Sequence, residues 1–164
     1  EAQDEIFRIK IEETTTSPAT QCICKELQAK PEQKAREMMQ SISILSSFVE
    51  QNGLKSIGRP RILMQIPGDL SQVTDFEFCF PLERGQKIPE LKGLKLKEIE
   101  ERKGLKAIYN GNYMFSHLAW SYVFEYAKMQ NLDYQPQLLE VYNSNPQMGG
   151  DALEWEAEIY LFLK

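Results

Sequence analysis

An internal repeat constrains the fold of this chain more than any other feature of its sequence. Each half reads, in order, as a strand, a helix and two further strands. The first helix ends at Asn52-Gly53 and the second near Asn131, and a strand introduced by a proline follows each of them. The closing strands also align, and they match Glu77 with Glu158. Two such units joined edge to edge predict an α+β fold, an antiparallel sheet with two helices packed on one side.

Hydrophobic alternation and turn residues locate the individual elements. Strands are predicted over residues 6–11, 21–25, 61–66, 75–82, 94–99, 106–110, 138–142 and 155–163. Residues 21–25 are either a continuation of the first strand or a second short strand, and residues 94–99 are either a strand or a strand-like loop. Helices are predicted over residues 31–51 and 114–131, and the strand residues 61–64 are matched with 137–140 in the repeat. The expected core stripe of the first helix is Met38, Ile42, Leu45 and Val49. In the second helix one stripe contains Leu118, Tyr122, Glu125 and Met129, with Phe115, Trp120, Val123 and Ala127 close by.

Length and composition predict one domain over residues 1–164, with repeat halves of about 6–84 and 92–164. The hydrophobic fraction of 42% and the charged fraction of 26% are ordinary for a globular protein. The net charge of −5 argues against direct binding of nucleic acid by this chain. The basic run from Lys92 to Lys103 is interrupted by three glutamates, which is typical of a solvated segment.

The three cysteines, Cys22, Cys24 and Cys79, favour neither a disulfide framework nor a zinc site, because only His117 could join them as a ligand. We interpret them as small buried hydrophobes, and reduced thiols fit a cytoplasmic location. No apolar run is long enough to span a bilayer, and no signal peptide opens the chain. The first residue is Glu1 rather than methionine, which leaves open that a fused domain is missing.

A glutamate in the apolar closing strand is the main candidate for function. Alternation places Glu158 on one face with Tyr160, while Ala157 and Ile159 take the other. A charge there is costly unless it faces water, a partner or a ligand. A solvent-exposed face or an ion pair with a neighbouring Lys or Arg would explain Glu158 equally well. Trp120 falls within the helical pattern and is predicted to belong to the core.

Aromatic residues surround this glutamate in the predicted order of strands, namely Tyr109, Tyr113, Tyr142, Trp155 and Tyr160. Aromatic rings with one negative charge suit flat or cationic organic ligands. No nucleophile motif, phosphate-binding loop, dinucleotide fingerprint or metal-ligand cluster occurs, so no cofactor or metal is predicted. A carboxylate beside a tyrosine is the one catalytic pairing available, and it would act by acid–base chemistry.

These residues carry a resemblance to a known family. The sequence resembles the GyrI-like small-molecule-binding domain, the effector-binding domain of bacterial transcription activators of the AraC and MerR types. The resemblance covers about Ile6 to Leu163. The motifs that carry it are Tyr109-x-Gly111-x-Tyr113, Glu140-Val141-Tyr142-x-x-Asn145-Pro146 and Trp155-x-Ala157-Glu158-Ile159, with Asn52-Gly53-Leu54, Gly58-x-Pro60 and Asp75-Phe76-Glu77-x-Cys79-x-Pro81 in the first half.

The resemblance implies two pseudo-twofold-related units with a ligand groove between them, centred on Glu158. The expected ligand-binding residues are Glu158, Tyr142, Tyr109, Tyr113, Trp155, Tyr160, Glu77 and Met64. The expected ligand is a small amphipathic, aromatic or cationic molecule, as in multidrug binding, and the expected role is effector sensing in transcription regulation. Binding is favoured over catalysis.

The alternative is a hydrolase. Some relatives hydrolyse cyclopropane-containing compounds, and a cyclopropane or epoxide hydrolase would use Glu158 with a tyrosine such as Tyr142. Ala157 and Phe162 depart from the family's usual threonine and proline. The helix-turn-helix that precedes this domain in regulators is absent from the sequence. Other relatives stand alone or follow a different ligand-binding domain, and residues 1–4 are interpreted as the stub of a linker to a domain of that kind.

Overall fold

The computed structural model describes residues 6–164, so the interpretation of residues 1–4 as a linker stub lies outside the described residues. The strands are β1 (Phe7–Ser17), β2 (Thr20–Ala29), β3 (Arg61–Gln65), β4 (Thr74–Leu82), β5 (Lys95–Ile99), β6 (Arg102–Gly111), β7 (Tyr134–Tyr142) and β8 (Glu156–Leu163), and the helices are α1 (Lys34–Gln51) and α2 (Ser116–Met129). The predicted α+β class and element order are confirmed. Neither helix in this part of the chain is long and apolar enough to cross a membrane.

Local sequence signals explain where the helices begin and end. A 3-10 turn over Pro31–Gln33 leads into α1. Proline is favoured at such a position because the N–H that it lacks would have no partner within the helix. α1 ends at Gln51, and two residues later Gly53 has a φ of 61°, the left-handed conformation that glycine adopts without strain. A second 3-10 turn, Tyr113–Phe115, leads into α2 and is capped by the side chain of Asn112, which accepts from the N–H of Met114.

The described strands form one antiparallel sheet in the order β1-β6-β8-β7-β3-β4-β2-β5. β1 lies at one edge and β2 lies next to the other edge, yet only Pro18 and Ala19 join them. In a flat sheet these strands would be about 29 Å apart, whereas two linking residues reach only about 10 Å. The sheet must therefore curl until its two edges approach each other at this end.

This curl gives the sheet two different faces. Both helices pack on one face, which carries the larger core with Leu45, Phe78, Trp120 and Ile159. No helix covers the opposite face, but Cys22, Cys24, Cys79 and Phe162 are completely buried there, within a second cluster. We infer that this opposite face is the concave one and that its own side chains fill it around the buried cysteines, whereas an open hollow lies beside Leu63 and Glu77. Hereafter the two are called the helix face and the concave face.

The strand register shows how the halves correspond. Glu77 pairs with Leu63 across β3 and β4, and Glu158 pairs with Val141 across β7 and β8. The two glutamates therefore occupy matching positions, as the repeat predicted. Leu63 then corresponds to Val141, so the predicted match of residues 61–64 with 137–140 is wrong by two residues. The correct match relates Ile62 to Glu140.

Two further predictions are wrong. Cys24 and Cys79 form a disulfide, because β2 and β4 place them directly opposite each other, which sequence spacing did not reveal. Cys22 stays free and buried, as predicted for all three cysteines. In α2 the buried residues are Trp120 and the smaller Ser116, Ala119, Val123 and Ala127. The predicted stripe of Leu118, Tyr122, Glu125 and Met129 is exposed.

Candidate functional site: the groove between the two helices

A groove separates the two helices on the helix face. α1 packs on β2 and β4, whereas α2 packs on β1 and β6, so the central strands of the sheet lie between the helices. A cavity of about 240 Å³ lies in this groove beside α1. It is lined by Met38, Met39, Ile42, Arg59, Pro60, Phe78, Phe80, Tyr113, Tyr142, Ser144, Asn145 and Pro146. Two larger hollows, of about 870 and 730 Å³, are open surface depressions, and four of the nine residues that line each of them are charged.

The cavity wall has the composition of a small-molecule site. α1 contributes two flexible methionine side chains and Ile42, while β4 contributes the rings of Phe78 and Phe80. Tyr113 and Tyr142 form the opposite wall with ring centroids 4.8 Å apart. Methionine adapts to irregular shapes, and aromatic rings offer stacking surface, so this lining suits a flat apolar molecule.

A buried charge lies directly behind Tyr142. Glu140 is only 2% exposed and points to the helix face from the middle of β7. Its Oε1 accepts a hydrogen bond of 2.6 Å from the Tyr142 hydroxyl, and its Oε2 accepts one of 2.8 Å from the Trp120 indole N–H. The Nζ of Lys34 lies 3.1 Å from Oε1. The carboxylate is thus held by donors from both halves of the molecule.

Lys34 is equally enclosed. Its side chain is completely buried, and its Nζ donates to the backbone carbonyl of Tyr113 at 2.9 Å and to the hydroxyl of Ser116. It also lies 6.0 Å from the centre of the Trp120 ring. Lys34 and Ser116 are each the first residue of their helix, so the two helix N-termini meet at this ion pair.

The environment fixes the protonation states of this cluster. Burial alone would raise the pKa of Glu140, but Lys34 and the donors Tyr142 and Trp120 outweigh it, and the pKa lies below its ordinary value. Burial, followed by the charge of Glu140, raises the pKa of Tyr142 well above its ordinary value. At neutral pH the carboxylate is therefore ionised and the Tyr142 phenol stays protonated as its donor.

Glu158 lies on the concave face. Its Oε1 accepts a hydrogen bond of 2.5 Å from the Tyr160 hydroxyl, its Oε2 accepts one of 2.9 Å from the Asn143 amide, and the Nζ of Lys106 is 3.5 Å away. Burial raises the pKa of Glu158, but these partners outweigh burial and bring it below the ordinary value. Glu77 lies on the same face and pairs with Lys97 at 2.7 Å and Lys95 at 3.3 Å.

The structure thus divides the predicted site residues between two faces. Tyr113 and Tyr142 meet at the cavity, and Trp155 lies beside them with its ring centroid 6.2 Å from that of Tyr113. Glu158, Tyr160 and Glu77 lie on the concave face, away from that cavity.

The remaining two predicted residues are in the core of the helix face. Tyr109 is completely buried, and its hydroxyl donates to the carbonyl of Asn112 at 2.6 Å. Met64 is 2% exposed and pairs with Leu138 across β3 and β7. Neither lines the cavity.

Sequence reasoning missed Lys34 and Glu140 as a pair. Glu140 could have been found, because it interrupts an apolar strand in the same way as Glu158. Lys34 gives no such signal, since a lysine in the first turns of a helix is normally solvated. Trp120 is completely buried, as predicted. Within residues 6–164 no three His, Cys, Asp or Glu side chains converge on a position that could hold a metal ion.

Comparison with known proteins assigns the fold. No protein-family model matches the sequence, and no curated protein does. The C-terminal domain of EcmrR superposes with a TM-score of 0.78 at 15% identity, covering 98% of this chain and 99% of that one. In the complex of EcmrR with DNA the TM-score is 0.79 at 15% identity, and the match covers 97% of this chain and 58% of EcmrR.

Two more distant structures share the fold. SAV2435 bound to tetraphenylphosphonium gives a TM-score of 0.63 at 10% identity over 94% of both chains. A hydrolase from Listeria innocua gives 0.58 at 10% identity, covering 93% of this chain and 92% of that one. The chain therefore has the fold of the EcmrR C-terminal domain and SAV2435, and the resemblance to GyrI-like domains is confirmed at the level of the fold.

Proposed function

We propose that this chain binds a small amphipathic, aromatic molecule in the groove between its helices and acts as an effector-sensing domain. The observation that carries the proposal is the cavity of about 240 Å³, lined by Met38, Met39, Phe78, Tyr113 and Tyr142. Its wall is apolar and aromatic, with few polar groups, which is the usual make-up of a small-molecule site. The tetraphenylphosphonium complex of SAV2435 and the DNA complex of EcmrR support ligand binding and a regulatory setting.

The position of the cavity suits sensing. One wall belongs to α1 in the first half of the chain, and the other belongs to Tyr113 and Tyr142 in the second half. A bound molecule would contact both halves and favour the arrangement of the helices that fits it best. In a longer regulator, contact with DNA would belong to another domain.

Two matched variants of α1 test the proposal. Ile42→Trp fills the cavity, whereas Ile44→Trp adds the same side chain at a position that is 46% exposed and outside the cavity lining. Titration calorimetry with 4-tert-butylphenol should show saturable binding to the wild type and to Ile44→Trp, and none to Ile42→Trp. Absence of saturable binding to the wild type, or equal binding by Ile42→Trp, would overturn the proposal.

A second candidate is a hydrolase centred on Glu158, the residue predicted from the sequence. The hydrogen bond between Tyr160 and Glu158, with Lys106 close by, supports it, as does the hydrolase neighbour. Glu158 would act as general base and Tyr160 as its partner. Incubation with an epoxide should then give turnover that is lost in Glu158→Gln and kept in Glu50→Gln, a change at an exposed position in α1. A flat progress curve for the wild type would count against this function.

A further inference from the structure

The cavity is bordered by positive charge. Arg59 is the one side chain in its described lining that is charged at neutral pH, and no Asp or Glu belongs to that lining. Tyr142 lines the cavity and donates its hydroxyl to the carboxylate of Glu140, which is not itself part of the lining. A ligand that enters the groove therefore meets apolar surface, two phenols and a cation, but no free negative charge.

The charge of Glu140 is already neutralised from within the protein. Lys34 supplies the counter-charge at 3.1 Å, and both side chains are almost fully buried, at 0% and 2% exposure. Both carboxylate oxygens also accept hydrogen bonds, from Tyr142 and Trp120. Lys34 itself has two further acceptors, the Tyr113 carbonyl and the Ser116 hydroxyl. This arrangement has no unfilled place for a second cation.

The fold does not demand this ion pair. The pseudo-twofold relation of the halves matches Glu140 with Ile62 and Lys34 with Ser116, so the symmetry-related positions, one in each half, carry no charge. Replacing a buried ion pair with apolar residues of similar volume is often neutral or stabilising. Stability alone therefore does not account for the pair.

We propose that Lys34 is a built-in counter-cation of the groove, which makes the groove select uncharged aromatic molecules and reject cations. This inference rests on the proposed binding function and names its ligand class. A cation in the cavity would lose its hydration without gaining a carboxylate partner, and Arg59 at the rim would repel it. An uncharged molecule of the same shape keeps all of the stacking contacts and incurs neither cost.

Lys34 is then the residue that determines specificity. Without it, Glu140 would be a buried carboxylate that lacks a counter-charge, and a cation in the cavity could supply that charge once Tyr142 turns aside. Lys34→Met should therefore reverse the preference of the groove. The double variant Lys34→Met/Glu140→Gln should keep binding of uncharged molecules but not that of cations.

The test uses two probes of one shape, 4-tert-butylphenol and its cationic isostere (4-hydroxyphenyl)trimethylammonium, titrated by calorimetry at neutral pH. The wild type should bind the uncharged probe at least about tenfold more tightly than the cation. Lys34→Met should bind the cation more tightly than the wild type does, by about tenfold or more, and Lys34→Met/Glu140→Gln should lose that gain.

The outcomes separate the two proposals. If the wild type binds neither probe, the binding function itself fails. If the wild type binds both probes but takes the cation equally well or better, the function stands and the role of Lys34 is overturned. The wild-type comparison needs no variant, so it decides the inference even if Lys34→Met does not fold. A folded Lys34→Met with unchanged preference would also overturn it.

Discussion

At the scale of single residues, the pair of Lys34 and Glu140 dominates the interior. Each side chain is buried, and each has its hydrogen bonds fulfilled by the other and by Tyr142, Trp120 and Ser116. For such a pair, removing one partner destabilises the protein more than removing both. Removing one member leaves an uncompensated charge in a dry site, whereas removing both leaves only a gap to be filled.

This asymmetry gives the first prediction. Lys34→Met should lower the free energy of unfolding by about 3–5 kcal/mol, because it leaves the buried Glu140 carboxylate without a counter-charge. Lys34→Met/Glu140→Leu should recover a large part of that loss, since the position matched with Glu140 is already occupied by Ile62. Urea unfolding of the two variants and of Glu140→Leu completes a double-mutant cycle. Equal losses for the single and double variants would contradict it.

The same carboxylate should make stability depend on pH. The pKa of Glu140 in the folded protein lies below its ordinary value of 4.5. A depressed pKa contributes stability that is complete above the ordinary value and is lost as the pH falls through the folded-state value. The wild type should therefore lose stability progressively below about pH 4.5.

Lys34→Met/Glu140→Leu provides the comparison for that prediction. It lacks the titrating pair but keeps Glu158, whose pKa is also lowered and which acts equally in both proteins. The free energy of unfolding, measured with urea at a series of pH values, should fall less steeply with decreasing pH in the double variant than in the wild type. Parallel curves for the two proteins would show that Glu140 does not contribute.

At the scale of elements, α2 shows what determines a core-facing helix surface. Leu118 is 42% exposed, whereas Val123 is completely buried. Val123→Ala should cost about 2 kcal/mol by leaving a cavity against the sheet, and Leu118→Ala should stay within about 0.5 kcal/mol of the wild type. Thermal and urea unfolding of the two variants check this. If Leu118→Ala lowered the free energy of unfolding more than Val123→Ala does, the assignment of the buried and exposed faces of α2 would be wrong.

The strands were predictable from the sequence, and part of the site was not. Alternation in segments such as 75–82 indicates a strand whatever it pairs with, so the element order was correct. α2 carries large apolar residues on its exposed side, so hydrophobicity alone assigned the wrong face. Tyr113 and Tyr142 were predicted in the ligand set, whereas Lys34 was not, because its contact with Glu140 depends on how the halves join.

At the scale of the whole molecule, the halves of the repeat are not independent units. β1 of the first half pairs only with β6 of the second, and β5 of the second pairs only with β2 of the first. The central contact of the sheet, β3 with β7, also joins the halves. Each half thus completes its sheet with strands of the other, and the ion pair of Lys34 and Glu140 crosses the same boundary.

Neither half should therefore fold alone. A fragment of residues 6–84 would expose both β1 and the β5-facing edge of β2, and it would leave Lys34 without Glu140. We expect circular dichroism to show no cooperative unfolding for residues 6–84 or for residues 92–164 when each is measured separately. An equimolar mixture should recover a cooperative transition, because the strand pairs re-form between the fragments. A cooperative transition in either isolated fragment would mean that the contacts between the halves are not required for folding.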